Sequence, residues 1–304
     1  MMSKPDSILV RKKIRFNTFD IINIFIMLLM MIIMIYPLWF ITISAFNDGQ
    51  DLMRGSVYLW PREFTLDNFK AVFYEKAILN AFMVTIAKCL IGTVTSVIFT
   101  TLVAYGITRP NLKFKKFYIP FIMFTNFFGG GLIPYFLLIN NIGLYDSFWV
   151  YIIPSLFSVW YMIIIQNYIR DIPLSLIESA KIDGASEYHI FYSIILPLSK
   201  PVLAAVSLFT IVAHWNSYFD SMMYTYSNHL QTIQLYLKKV ITDPSMSHGI
   251  GISIAQQLPG AAQRITPQTI KMATMVVTAA PMIIVYPFVQ RYFVKGVTIG
   301  AVKG

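Results

Sequence analysis

Lys88, Asn126, Trp160, Tyr161, His214, Trp215, Asn216, Tyr218 and Asp220 interrupt stretches that are otherwise apolar, and five of them crowd into HWNSYFD at 214–220. Polar groups are costly in lipid and turn toward the interior of a helix bundle. There they either bond one helix to another or line a polar path, and residue type alone leaves both open. Lys88 poses the same choice: it snorkels to the nearer surface, about three turns away, or it faces an internal cavity. His214 and His229 have no Asp, Glu or Cys at ligand spacing, so no metal site is expected. No Gly-x-x-x-x-Gly-Lys-Ser/Thr run is present, and the glycine cluster FFGGGLIP at 127–134, read as buried in a span, has no lysine after it. This chain is therefore expected to hold no nucleotide, and no catalytic residue is expected.

A second polar group stands apart. IESAKIDGASEYHIFYSIILP, residues 177–197, concentrates charge around one glycine between two apolar regions. Its local signals read as two short helices meeting at an elbow. Asp171 is expected to cap the first helix, with Pro173 in its first turn. Leu174, Ile177, Ala180 and Lys181 keep helical spacing, and Gly184 ends the helix at low cost in a left-handed cap. Ser186 caps the second helix, with Glu187 in its first turn. That helix carries Ile190, Phe191, Ile194 and Ile195 and ends at Pro197. One face of such an elbow could dock on a partner or lie on the bilayer.

The elements that must position these residues follow from composition. The chain has 304 residues, of which 57% are hydrophobic and 12% charged. Soluble domains carry about 25% charged residues. Runs of roughly twenty apolar residues match the ~30 Å hydrocarbon core. Helices are expected rather than a barrel, because the runs are uninterrupted instead of alternating. The fold class is all-α, a polytopic membrane protein with six transmembrane helices at 21–46, 77–107, 117–139, 147–169, 199–226 and 272–294. The first run is too long for a signal peptide and lacks a clear cleavage site. Trp149 and Tyr151 fit an interfacial aromatic belt. Cys89 is the single cysteine, so no intrachain disulfide framework exists.

The net charge of +10 has a topological meaning. Lys4, Arg11, Lys12, Lys13 and Arg15 lie at the start, and Arg109, Lys113, Lys115 and Lys116 in the 108–116 loop. Arg170, Lys181 and Lys200 flank the elbow, and Arg291, Lys295 and Lys303 close the chain. Eight basic residues fall on the other face, in longer loops: Arg54, Arg62, Lys70, Lys76, Lys238, Lys239, Arg264 and Lys271. The short, charge-dense loops belong in the cytoplasm. The expected plan is a cytoplasmic N-terminus (1–20), a six-helix domain (21–294) and a cytoplasmic tail (295–304). Within the domain lie a cytoplasmic loop at 170–198 and external loops at 47–76 and 227–271. No nucleic-acid partner is expected.

The order of residues in the elbow is more specific than its amphipathicity. Glu178, Ser179, Ala180 and Gly184, then nine residues, then Ile194, Leu196 and Pro197 resemble the cytoplasmic signature loop of the permease subunits of binding-protein-dependent ABC importers. Ser179 is the one departure, where alanine is commoner. TLVAYGITRP (101–110), GGGLIPYFLLINNIGLYDS (129–147), HWNSYFD and RYFVKGVTIGAVKG (291–304) are similar to the carbohydrate branch, of the second-subunit (maltose-permease G-like) type. The oligosaccharide and polysaccharide-fragment importers look closest.

That resemblance implies the type I ABC importer permease fold in the plasma membrane of a prokaryote, with both termini cytoplasmic. It implies alternating access for an oligosaccharide. Glu178, Ala180, Gly184, Ile194, Leu196 and Pro197 would seat the loop on a separate ATPase, with Glu178 facing a basic residue. The implied partners are a second related permease subunit, two ATP-binding subunits and an extracellular or periplasmic solute-binding protein. ATP and Mg would sit on those ATPases and no cofactor on this chain, which would be no enzyme. The nine intramembrane residues become candidates for the sugar path, since aromatic faces stack on sugars and polar side chains exchange hydrogen bonds with hydroxyls. A cavity-facing Lys88 would meet the carboxylates of an acidic oligosaccharide. Loop 227–271 would face the solute-binding protein. A non-sugar solute such as a polyamine or phosphate is the alternative within the family. A membrane sensor or scaffold that binds a cytoplasmic regulator is the alternative outside it.

Overall fold

The structure, a computed structural model, describes residues 17–257, 260 and 264–301. The charges at Lys4, Arg11, Lys12, Lys13, Arg15 and Lys303 lie outside the described residues. The side chains of Arg291 and Lys295 lie outside the described side chains of their helix.

Helix α1 (Thr18–Ala45) begins on a capping box in which the Asn17 amide donates to Asp20 Oδ2 at 2.9 Å. Short helices α2 (Gly49–Arg54) and α3 (Asp67–Tyr74) lead to the long α4 (Lys76–Thr108). Then come α5 (Lys115–Phe127), α6 (Leu132–Asn141), two 3-10 turns (Phe148–Tyr151 and Ile153–Ser155) and α7 (Val159–Arg170). The polar segment folds as α8 (Leu174–Ile182), α9 (Glu187–Ile190), a π-helical turn (Phe191–Ile195) and α10 (Leu196–Leu198). Helices α11 (Lys200–Asn216), α12 (Phe219–Tyr224), α13 (Ile233–Thr242), α14 (Pro244–Gln257) and α15 (Pro267–Ala301) complete the chain. Among the described residues there is no strand, only a lone bridge between Asn47 and Phe64.

Three helices are long and apolar enough to cross a membrane alone: α1, α4 and α15 as far as Pro287. Three bent pairs pass the same test together, which brings the spans to as many as six. The third expected span, 117–139, is two helices bent by 110°. Gly129 to Gly131 break it, with Gly131 at φ 90°, a left-handed conformation open to glycine. Those glycines are exposed, not buried as expected. The fourth span bends by 47° where Ser158 accepts the Tyr161 amide and starts α7 afresh. The fifth, expected over 199–226, stops as a regular helix at Asn216, because the Ser217 hydroxyl turns to Asp220 and its backbone goes extended. The sixth, expected over 272–294, begins earlier, at Pro267. Both long connections, 47–76 and 227–271, carry helices of their own.

Helix α4 is the axis of the bundle, packed by α7 and α11. Small residues let the backbones approach, as lipid-embedded helices require. A Cβ at Gly92 would lie 2.6 Å from His214 Nε2 on α11, so any larger residue there would have to displace the His214 ring. One apolar cluster joins the first half of α4 to α3, α13, α14 and α15. A second joins its other half to α7, α11 and the elbow. Tyr151 is not in an aromatic belt: it is buried, and its hydroxyl donates to Leu230 O at 2.7 Å. Trp149 is exposed, as a belt residue would be.

Candidate functional site

The elbow is built from its own backbone outward. Gly184 sits at φ 78°, its amide donating to Lys181 O at 3.0 Å, while the Ala185 amide donates to Ala180 O at 2.9 Å. That pair of bonds is a Schellman motif, which satisfies the last carbonyls of α8 and sets the turn angle. Ser186 then accepts the His189 amide and opens α9, as its position suggests. The expected Asp171 cap is not formed. Asp171 closes α7, its amide donating to Tyr168 O, and Pro173 takes the capping position of α8 without a side-chain bond.

Buried Ile177, Ile190, Phe191 and Ile195 root the elbow in the cluster formed by α4, α7 and α11. Ala180, Ile194 and Leu196 pack against the same cluster, while Glu178 and Pro197 are exposed. Ile182 is 86% exposed and Tyr188 75% exposed, so the tip presents large apolar side chains left uncovered by the described residues. A groove of about 490 Å³ runs along the turn, lined by Ala180, Gly184, Ser186, His189 and Ile194.

Behind the tip, Glu187 accepts a hydrogen bond from the Tyr105 hydroxyl at 2.6 Å and pairs with Lys181 Nζ at 2.6 Å. The Lys181 ammonium and the Tyr105 hydroxyl hold the Glu187 carboxyl below the usual glutamate range. The Arg109 guanidinium lies over the Tyr105 ring, 4.1 Å from its centroid.

A second constellation lies between α4, α11 and α12. Lys88 is completely buried and pairs with Asp220 Oδ2 at 3.5 Å. Ser217 Oγ donates to the same oxygen at 2.7 Å, and the Lys88 ammonium sits 4.8 Å from the Tyr151 ring centroid. Lys88 therefore does not snorkel. The cause is Asp220, which gives the ammonium a partner inside the fold.

His214 is buried beside Gly92, with no hydrogen-bond partner on Nε2 among the described residues. Trp215 is taken up in packing: its indole donates to Thr278 O of α15 at 3.2 Å. Tyr218 is half exposed, with Lys238 Nζ 4.4 Å from its ring centroid. Tyr161 stacks on Phe209, whereas Asn126, Trp160 and Asn216 are exposed. Next to α12 opens a polar groove of about 690 Å³, with Tyr226, Asn228, His229, Gln231 and Lys239 among its lining. Asp146 fixes its rim, accepting from the Tyr226 and Ser227 amides and from Ser227 Oγ. The Ser227 hydroxyl, with both amides, keeps the Asp146 carboxyl below the usual range.

The polygalacturonan/rhamnogalacturonan transport system permease protein YtcP of Bacillus subtilis (strain 168) is 34% identical to the chain, over 94% of this chain and 98% of that protein. The chain belongs to the permease subunits of sugar ABC transporters. The permease also matches a chain from the crystal structure of a bacterial ABC transporter involved in import of the acidic polysaccharide alginate. There the TM-score is 0.86 and the identity 28%, over 92% of this chain and 100% of that one. A chain of the bacterial alginate ABC transporter in complex with an alginate pentasaccharide-bound periplasmic protein shares the fold alone. Its TM-score is 0.51 at 16% identity, over 88% of this chain and 92% of that one. No family model matches the permease. It is a multi-pass membrane protein and a transport subunit.

The sequence pointed to the elbow residues and to five members of the 214–220 group, but assigned no site role to Tyr105, Asp146 or Ser217 and placed Tyr151 in an interfacial belt. Glu187 was visible only as a first-turn acid. Tyr105, Tyr151 and Asp146 act through partners about eighty residues away along the chain, and Ser217 through Asp220, three residues on.

Gly184 gives a direct test of the turn. Gly184→Val forces a β-branched residue to positive φ, at a cost of about 1–2 kcal/mol, whereas Gly184→Asn is tolerated in that region. The valine variant should melt several degrees lower in detergent than the wild type, with the asparagine variant close to the wild type.

Proposed function

We propose that the permease forms half of the translocation path of an ATP-driven importer for an acidic, uronate-bearing oligosaccharide, and that the elbow is its seat on a separate ATPase. The observation that carries the reading is the elbow itself. A Schellman turn presents Glu178, Ile182 and Tyr188 outward, while its base is embedded among three helices of the bundle. A surface of that kind converts movement of a docked partner into movement of helices.

The basic residues of the 108–116 and 170–200 segments support a cytoplasmic elbow and cytoplasmic termini. ATP and Mg then belong to two ATPase subunits, which drive rigid-body alternating access. A second, related permease subunit supplies the other half of the path. A solute-binding protein delivers the sugar at the opposite face, where loop 227–271 and the groove at Tyr226 lie. One relative is named for polygalacturonan and rhamnogalacturonan transport and the matched importer for the acidic polysaccharide alginate, which supports an acidic cargo.

The test is reconstitution of the complete importer in liposomes with its binding protein. Oligogalacturonide-loaded binding protein should raise ATP hydrolysis severalfold over unloaded protein, and neutral maltodextrins should not. Equal stimulation by acidic and neutral sugars overturns the acidic cargo. No stimulation by any saccharide overturns the importer reading.

A further inference from the structure

The contacts behind the elbow do something that docking does not require. The unit that must transmit force is mechanically weak along the chain. Helix α9 is one turn long, the π-helical turn of Phe191–Ile195 follows it, and the path into α11 bends by 79°. π-helical turns are uncommon and occur at functional sites. A push on the tip would be absorbed by flexing there, unless a second link joined the tip to the bundle.

Glu187 is that link. Its two carboxylate oxygens are used separately: Oε2 accepts from Tyr105 of α4 and Oε1 pairs with Lys181 of α8. One side chain thus ties both arms of the elbow to the end of α4. Tyr105 is itself fixed, with its ring buried, 5.3 Å from Phe191 and under the Arg109 guanidinium. Arg109 lies just past the end of α4, and its Nη2 donates to Thr108 Oγ1 at 3.1 Å. Helix α4 in turn packs along both α7 and α11, so a displacement delivered at Tyr105 reaches the whole bundle.

We infer that Glu187 is a positioning residue, a latch that makes the elbow and α4 one rigid body so that closure of the ATPase moves the path. The inference rests on the proposed docking of the elbow, and it is distinct from it. Glu187 faces Tyr105 and Lys181, behind the tip that carries Ile182 and Tyr188.

The experiment compares Tyr105→Phe, Glu187→Gln and their double variant in the complete importer. Three quantities are read: ATPase subunits retained on purification, basal ATP hydrolysis, and sugar moved per ATP hydrolysed. Tyr105→Phe removes one hydroxyl and keeps the ring against Phe191 and Arg109. Each variant should retain its ATPase subunits and its basal hydrolysis. Sugar per ATP should fall about tenfold for Glu187→Gln, the size expected for losing charge-assisted hydrogen bonding, and severalfold for Tyr105→Phe. The double variant should be no worse than Glu187→Gln, since both break the same link. Lys181→Arg, which keeps the charge, should stay near the wild-type ratio.

Unchanged sugar per ATP in both single variants overturns the latch. So does a fall in melting temperature with that ratio intact, which marks a purely structural contact. Loss of the ATPase subunits from Glu187→Gln or Tyr105→Phe overturns it as well, by placing these residues in docking. Failure of the docking reading itself shows elsewhere, as full ATPase retention with full uptake by Glu178→Lys.

Discussion

Glu178→Lys abolishes sugar uptake while the permease still reaches the membrane and folds. Glu178 is exposed on α8, one residue after Ile177, whose side chain is buried and fixes the helix to the bundle. Its backbone is held by α8 and the Schellman turn, so a surface lysine there leaves the permease itself undisturbed. The damage falls on the interface, where a carboxylate proposed to meet a basic residue becomes a second cation. Reversing one member of an interfacial charge pair removes an attraction and adds a repulsion, and loss of one partner alone costs about 2–5 kcal/mol. Affinity for the ATPase should fall at least about a hundredfold. Co-purification of ATPase subunits and liposomal uptake read both effects. Retained ATPase with full uptake contradicts the docking assignment.

Asp220→Asn is expected to be the most destabilising single change in the bundle. Lys88 is fully buried, while the Asp220 side chain is 40% exposed and also held by Ser217. Removing the carboxylate strands a cation in the interior, a change that costs about 3–5 kcal/mol. Lys88→Met should cost less, because the half-exposed Asp220 keeps water and the Ser217 hydroxyl. The combined Lys88→Met/Asp220→Asn variant should recover most of the loss, since neither charge is left alone. Thermal unfolding in detergent orders the three variants, with Asp220→Asn lowest. Uptake by the double variant then isolates function from stability. A selective loss of acidic-sugar uptake assigns Lys88 to the substrate, and equal uptake of both sugar classes leaves it a structural pair.

Local chemistry was legible in the chain, and long-range pairing was not. Gly184 and Ser186 announce the elbow because a left-handed cap and a side-chain cap are properties of single residues. Asp171 misled for the same reason: a good capping residue beside Pro173 lost its place to the proline, and closed α7 instead. Apolar runs located the spans, but hydropathy does not report direction, so the 110° bend at Gly129–Gly131 and the break at Ser217 were invisible. Lys88 meets Asp220 across 132 residues, and Tyr105 meets Glu187 across 82. Those pairs exist only because α4 lies between its neighbours, a consequence of packing among small side chains such as Gly92.

If the elbow tip is the surface on which the ATPase sits, one thiol there reports it. Cys89 is the single cysteine of the chain and is buried, so Ile182→Cys introduces a lone accessible thiol at an 86% exposed position. In the assembled importer, a short thiol-to-amine cross-linker on this residue should join the permease to the ATPase subunit, and assembly should shield the thiol from a bulky maleimide. An assembled, active complex in which that thiol stays fully accessible and cross-links to no ATPase shows that the ATPase sits elsewhere.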